Sequence, residues 1–192
     1  VLGGRAMEIV HEKGDLERAM TEFNLVLAAE PDNVRVRYYL AAVLAEMGET
    51  DDAIKGFAKV PVDSDYYVDA QLRRAYLMQR DDLPGAIEVI EKALDARPDN
   101  PELMAYLASL YREQKSYAAA VEVLEKMVEK SPTNDRYRFT LGAAYDEASN
   151  REKAIAEMER AIELNPRNAA ALNYLGYPWA EMGVRLDDAE RL

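Results

Sequence analysis

Apolar residues recur along the chain with the spacing of amphipathic helices, and the helices come in pairs. In the clearest pair, the first apolar face follows intervals of three, one and three residues and consists of Met104, Leu107, Ala108 and Tyr111. After a polar break comes a second face, made by Ala120, Val121, Leu124 and Met127. Residues three or four apart lie on one side of an α-helix, so the pattern predicts two helices, each with one buried face.

Polar and helix-breaking residues mark the ends of this pair. Asn100 is a residue type that caps helices, and Pro101 suits the first helical turn because its missing N–H costs nothing there. Ser116 can cap the second helix, the Ser-Pro-Thr run at 131–133 ends it, and Asn134 opens the next pair. The sequence therefore predicts helical hairpins, each with a first helix, a second helix and short loops.

The hairpins repeat at a nearly fixed interval. One alanine per repeat marks the interval, in steps of 33 to 35 residues, at Ala19, Ala53, Ala86, Ala120, Ala154 and Ala189. Prolines keep the same interval at Pro31, Pro98, Pro132 and Pro166, where the first gap of 67 residues equals two periods. A period in the thirties is typical of a stack of small units rather than of one globular core. Single helices of this length are marginal in water, so we expect stability to come from stacking.

Two segments carry a more specific signature. Residues 141–145 read LGAAY and residues 175–179 read LGYPW. Together with the period, they resemble the tetratricopeptide repeat family, and the resemblance covers essentially the whole chain. It implies an all-α, right-handed superhelical solenoid of about five and a half antiparallel hairpins, forming one domain over residues 1–192. The repeats are expected at 1–33, 34–66, 67–100, 101–134, 135–168 and, in part, 169–192.

Small residues occupy the middle of the predicted first helices, at Ala41, Ala108, Gly142 and Gly176. The alanines that mark the period lie on the second helices, where the two helices of one hairpin cross. We expect close crossings there, because a larger side chain would force the helices apart at a cost of about 1–3 kcal/mol.

Two prolines interrupt predicted helices. Pro61 falls where the second helix of the second repeat would continue, so we expect that helix to end near Lys59, one turn early. Pro178 lies inside the first helix of the sixth repeat, so that either the helix bends there or this end of the chain is disordered.

The third repeat fits the period least well, because an arginine falls in or beside an apolar position in either register. The preferred register puts Ala75 at the close crossing and shortens the turn before the second helix by one residue. Arg73 and Arg74 then have two interpretations. Either their stems cover the core while the guanidinium groups reach neighbouring acids, or they form a basic site for an acidic ligand.

Charge and composition exclude several functions. The net charge is −12, from 36 acidic and 24 basic residues, which argues against nucleic-acid binding because that affinity depends on Lys and Arg contacts to phosphates. A basic partner, or solubility alone, fits the charge. There is no cysteine, so disulfides and thiolate sites are excluded. The longest apolar run, residues 38–45, is too short for a membrane span. The compartment, bacterial cytoplasm or periplasm, stays open.

Both ends of the sequence look like cuts inside a longer protein. Residues 1–5 resemble neither a translation start nor a signal peptide, and the chain stops just after a new helix should begin. Leu175, Trp179 and Ala189 would then lack part of their cover, and this end of the chain would be a surface for self-association.

Residues for catalysis are missing from the pattern. His11 is the only histidine, and no phosphate-binding loop or nucleophile motif is present. Asp63, Asp65 and Asp69 resemble a calcium loop only faintly, because its glycine and terminal glutamate are absent. We therefore expect a protein that is not an enzyme and that needs no metal or cofactor.

The resemblance also implies where a partner binds, since in this family the first helices line a concave groove. Carried over to this chain, the groove positions are Arg35, Tyr38, Ala42, Ala45, Glu46, Gln71, Ala75, Met78, Glu102, Ala105, Ser109, Arg112, Glu113, Arg136, Phe139, Ala143, Asp146, Glu147, Asn173, Tyr177 and Glu181. Some family members grip the carboxylate tail of a chaperone with lysines and asparagines. The groove positions contain no lysine and, apart from Asn173, no asparagine, which argues against that partner.

The groove positions mix aromatic and acidic residues, which suits an extended or helical segment with apolar anchors and basic flanks. Alternatively, Tyr38, Phe139 and Tyr177 pack against neighbouring first helices and bind nothing. The leading function is a non-enzymatic scaffold for protein–protein interaction. One alternative is a self-association module of a multiprotein complex, such as one of the cell envelope. Another is a recruiting module of a larger enzyme.

Overall fold

The computed structural model describes residues 16–182, with side chains as far as residue 175. Within this range the secondary structure is entirely helical. Ten helices follow one another as α1 (Leu16–Ala29), α2 (Val34–Glu46), α3 (Thr50–Ala58), α4 (Tyr67–Met78), α5 (Leu83–Ala96), α6 (Pro101–Glu113), α7 (Tyr117–Lys130), α8 (Asp135–Glu147), α9 (Arg151–Leu164) and α10 (Ala169–Met182). The all-α hairpin repeat predicted from the sequence is confirmed, and four expected repeats, from 34–66 to 135–168, each hold two helices.

The helices form two compact units, Val1–Pro98 and Asp99–Leu192. In the first unit α1, α2, α3 and α4 each pack on the helix that follows, which ends the series at α5. In the second unit α6, α7, α8 and α9 do the same, which ends the series at α10. The grouping of all repeats into one solenoid domain stays a prediction.

Asparagine caps start the first helices α2, α6, α8 and α10, whereas α4 begins after Tyr66 without a side-chain cap. The side chains of Asn33, Asn100, Asn134 and Asn168 each accept a hydrogen bond from a backbone N–H in the following turn. These caps satisfy N–H groups that have no partner inside the helix. Pro101 occupies the first turn of α6, as predicted.

The turns inside the hairpins share one backbone feature. Gly48, Lys115 and Ser149 occupy equivalent positions between first and second helices, and their φ angles are 81°, 64° and 61°. The connection in the third hairpin is different, because it has four residues, 79–82, and Asp82 caps α5 through the N–H of Gly85. The expectation of a shorter turn in this repeat is therefore wrong, because α4 itself ends early, at Met78.

Close helix crossings occur at Ala41 and Gly142, two of the small residues expected there. A β-carbon built on Gly56 of α3 would lie 2.7 Å from the β-carbon of Ala41 on α2. One built on Gly142 of α8 would lie 3.1 Å from the carbonyl oxygen of Ala154 on α9. Neither crossing has room for a larger residue at these points.

The structure also tests the other irregularities of the sequence pattern, at Pro61, Ala75 and Pro178. The helix α3 ends at Ala58 with Lys59 as its C-cap, as Pro61 predicted. Ala75 is completely buried, in agreement with the preferred register of the third repeat. The backbone of α10 stays helical across Pro178 to Met182.

The expected gap in the cover at the C-terminal end is wrong for Leu175. This side chain is completely buried, because it packs in a core cluster with Met158, Ala161 and Ile162. The side chain of Trp179, and Ala189 as a whole, lie outside the described residues.

Candidate partner-binding surface

In the second unit, several of the predicted groove positions on α6 and α8 carry short side chains, and we call these positions the face of the second unit. Ala105 and Ser109 of α6 are exposed, and Ala143 of α8 is half-buried. Phe139 of α8 is also half-buried and packs against the core cluster around Met158. The ring of Phe139 is therefore partly covered by the core while part of it stays accessible.

An ion pair joins α6 and α8 at one end of this face. The Nε and Nη2 atoms of Arg112 donate hydrogen bonds of 2.7 and 2.6 Å to the two carboxylate oxygens of Glu147. Both side chains are 34 % exposed, so the pair is partly shielded from solvent. The hydrogen bonds from Arg112 lower the pKa of Glu147 below its usual value. A two-point contact of this kind fixes the geometry more firmly than a single charge contact.

A second polar bridge joins α8 and α10. The hydroxyl group of Tyr174 donates a hydrogen bond to the carboxylate of Asp146. Burial and this hydrogen bond raise the pKa of Tyr174 to about 12. Asn173 beside it is exposed, whereas the side chain of Tyr177 lies outside those that the structure describes. The face of the second unit is thus held by one bridge on each side of α8.

In the first unit, Tyr38 of α2 is a core residue rather than an open groove residue. Its ring is 7 % exposed and stacks on Tyr66, with the ring centres 5.0 Å apart. Its hydroxyl group donates a hydrogen bond to Asp69 of α4, and burial together with this bond raises the pKa of Tyr38 to about 12. For Tyr38 the contacts with Asp69 and Arg73 agree with the alternative in which the groove aromatics pack against neighbouring first helices.

Other predicted positions of the first unit differ in exposure. Arg35 and Glu46 of α2 are exposed and Ala42 is half-buried. Gln71 of α4 is only 5 % exposed, while Met78 is half-buried. The side chain of Gln71 therefore points into the protein and offers no surface to a partner.

Sequence reasoning missed Tyr76 of α4. With Ala75 at the crossing, Tyr76 takes the repeat position that Ala42 takes in α2. It is 66 % exposed, the most exposed of the large hydrophobic residues described. The sequence contains a signal for this position of Tyr76. Ala75 precedes Ala86 by 11 residues, whereas Ala41 precedes Ala53 by 12, so the first helix of the third repeat is shifted by one residue relative to its second helix.

Of the two arginines of α4, only Arg73 reaches a neighbouring acid as the first interpretation expects, and the second interpretation, a basic site, stays a prediction. The Nε atom of Arg73 donates a 2.7 Å hydrogen bond to Asp69, and its guanidinium carbon lies 5.9 Å from the centre of the Tyr38 ring. The Nη1 atom of Arg74 reaches Oε1 of Gln71 at 3.5 Å. Both side chains therefore have contacts within the first unit.

Other kinds of site find no support among residues 16–182. This part of the chain contains no group of three acidic or histidine side chains that could bind a metal ion. None of its helices has the length and apolar character needed to cross a membrane. His11 lies outside the described residues.

The family model for the tetratricopeptide repeat matches residues 11–65, 77–138 and 111–176. The chain belongs to the tetratricopeptide repeat family. This membership accounts for the period, the hairpins and the small residues at the crossings. Tetratricopeptide repeats are scaffolds for protein interaction, built from stacked units whose long surfaces suit a protein partner.

Solved tetratricopeptide structures share the fold. The crystal structure of MamA protein matches with a TM-score of 0.67 and 23 % identity, over 88 % of this chain and 94 % of that one. A MamA fragment from Desulfovibrio magneticus RS-1 matches with a TM-score of 0.64 and 22 % identity, over 83 % of this chain and 90 % of that one. YrrB, described as a TPR protein with an unusual peptide-binding site, matches with a TM-score of 0.64 and 17 % identity, over 87 % of each chain. At these identities the similarity shows the fold alone. Among curated proteins, none matches the chain significantly.

Proposed function

We propose that this tetratricopeptide protein is a non-enzymatic scaffold that binds a segment of a partner protein on the first helices of its second unit. The observation that supports this most directly is the row of short, accessible side chains on α6 and α8. Ala105 and Ser109 of α6 are exposed, and the half-buried Phe139 of α8 adds an apolar side chain. Side chains of a bound segment would pack between these residues, as in other grooves that accept a helix or an extended chain.

The charge of this face favours a segment with basic flanks. Glu102 and Glu113 of α6 and Asp146 of α8 are exposed, against the single exposed base Arg136 at the start of α8. Arg112 adds little positive charge, because Glu147 neutralises it. Opposite charge at the rim of an interface speeds association and selects among partners.

The bridges around α8 make the face a prepared surface. The pairs Arg112–Glu147 and Asp146–Tyr174 hold neighbouring first helices before any partner arrives. A partner then pays less conformational entropy on the scaffold side, which favours binding.

Selection from a display library of random twelve-residue peptides on the whole chain tests this proposal. We expect enriched peptides to combine large apolar residues with lysine or arginine on either side. Ala105→Arg and Ser109→Arg should each weaken the binding of such peptides at least tenfold, as measured by fluorescence anisotropy. Ala156→Arg is the matched control, because Ala156 is an exposed alanine of the second helix α9.

Two results would contradict the proposal. One is basic peptides whose binding is equally strong in Ala105→Arg and in the unchanged chain. The other is the failure to enrich any peptide. If the chain then formed stable oligomers in light scattering, the assembly function would be the better account.

A further inference from the structure

The helices of the protein differ in the sign of their charge. The first helix α2 carries Arg35 and Arg37 against Glu46, and the first helix α4 carries Arg73 and Arg74 against Asp69. Each has one positive charge in excess. In the other eight described helices acidic residues outnumber basic ones. A positive pair of helices in a protein of net charge −12 is a local feature that general solubility does not explain.

The exposed ring of Tyr76 lies on α4, between two arginines. Arg73 precedes it by three residues and therefore shares its side of the helix. Arg80 follows just after the last turn, and its contact with Asp81 joins two side chains that are 89 % and 77 % exposed. A surface pair of this kind contributes little, so Arg80 can exchange Asp81 for another carboxylate. Tyrosine and arginine are also the residues that most often dominate binding energy in interfaces.

The positions of α2 and α4 are fixed relative to each other on this side. The hydroxyl group of Tyr38 on α2 and the Nε atom of Arg73 on α4 both donate to the carboxylate of Asp69. The guanidinium group of Arg73 also lies over the ring of Tyr38. These contacts hold Arg73 in place beside Tyr76, so the surface is formed before a partner binds.

We propose that the surface formed by Tyr76, Arg73 and Arg80 binds an acidic protein segment, with one apolar side chain of the segment packed on Tyr76. We call it the Tyr76 surface. The occupant is opposite in charge to the one proposed for the second unit. Its acids are side chains within the segment rather than a chain terminus. The inference depends on the proposed function only in using the first helices as the binding face.

Two synthetic peptides of equal length test the charge preference. Each carries one phenylalanine and two leucines, flanked by glutamates in one peptide and by lysines in the other. Fluorescence anisotropy measures the binding of each peptide to the whole chain. We expect Tyr76→Ala and Arg80→Glu each to weaken the binding of the glutamate peptide at least tenfold. Neither change should affect the lysine peptide. Binding of the glutamate peptide should also weaken as salt is added.

Controls within the first unit separate the Tyr76 surface from general effects. Val62→Ala shortens another exposed apolar side chain, in the connection after α3. Lys92→Glu changes an exposed base on the second helix α5. Both variants should bind the glutamate peptide as the unchanged chain does. Far-ultraviolet circular dichroism of Tyr76→Ala should show full helix content, since its side chain is mostly exposed.

The outcomes distinguish the two proposals. If the glutamate peptide fails to bind, or binds equally to Tyr76→Ala, the Tyr76 surface is refuted while the lysine peptide still tests the second unit. If Ala105→Arg weakens the glutamate peptide and Tyr76→Ala does not, the acidic segment binds the second unit and this inference is wrong. If neither peptide binds, both proposals fail.

Discussion

Arg112 on α6 and Glu147 on α8 form a two-point ion pair across neighbouring first helices of the second unit, with N–O distances of 2.7 and 2.6 Å. They are 35 residues apart in the sequence, about one repeat. The contact ties the two helices that carry the proposed binding face. Partly shielded pairs with this geometry contribute more than exposed pairs do.

Arg112→Lys should therefore reduce the free energy of unfolding by about 1 kcal/mol, because a lysine cannot make both hydrogen bonds. Urea denaturation followed by circular dichroism measures the change. Lys92→Gln is the control, since it removes a pair with Glu88 in which the side chains are 70 % and 63 % exposed. Lys92→Gln should reduce the free energy of unfolding by less than about 0.5 kcal/mol. Equal losses in both variants would show that the Arg112–Glu147 pair is no stronger than a surface pair.

The contact between Ala41 and Gly56 gives a second prediction. Alanine is favoured over glycine in a helix by about 0.5–1 kcal/mol, but a β-carbon at Gly56 would meet that of Ala41 at 2.7 Å. Overpacking of this kind costs about 1–3 kcal/mol, so Gly56→Ala should destabilise the protein by about 1 kcal/mol net.

A double variant makes this prediction specific. Ala41→Gly combined with Gly56→Ala moves the β-carbon from one helix to the other and removes the clash. Thermal unfolding should show the double variant to be more stable than Gly56→Ala alone. If Gly56→Ala proved as stable as the unchanged chain, the two helices would have to separate there without cost.

The raised pKa values of Tyr38 and Tyr174, about 12 each, give a third prediction. A tyrosine in the unfolded chain loses its proton near pH 10. Between about pH 10 and pH 12 the folded protein keeps protons that the unfolded chain has released, so stability is complete below this window and falls as the pH rises through it.

Unfolding in urea at several alkaline pH values measures this loss. We expect the free energy of unfolding to fall by about 1–2 kcal/mol for each of the two tyrosines. Tyr38→Phe should show a smaller loss over the same range, because it has no hydroxyl group to ionise. Tyr76→Phe removes a hydroxyl group from an exposed position and is the matched control. A loss of the same size in Tyr38→Phe would assign the alkaline sensitivity to other groups.

The period and the punctuation of the sequence predicted most of the fold, since both reflect local rules. Asn100 and Asn134 cap helices because side-chain oxygens satisfy free N–H groups nearby in sequence. Pro61 shortens α3 for a local reason as well. Such features depend on residues a few positions apart and can be recognised without knowing the packing.

The third hairpin shows where the sequence was insufficient. A shift of one residue rotates a helix position by about 100°, which is enough to turn Gln71 inward and Tyr76 outward. The spacing of 11 residues between Ala75 and Ala86 indicated the shift. The groove positions, however, were carried over at the usual spacing. For Tyr38 the sequence leaves two interpretations open, since the burial of its side chain depends on Tyr66 and Asp69, which belong to the next repeat boundary and the next first helix.

The short reach of the contacts has a consequence for how the protein folds. The longest-range hydrogen bonds described, from Arg112 to Glu147 and from Arg97 to the carbonyl oxygen of Val62, join residues 35 positions apart. A chain whose contacts stay this local closes only small loops on the way to its native state, and such chains fold quickly. Any hairpin can serve as the nucleus onto which its neighbours assemble, so folding can begin at several places along the chain.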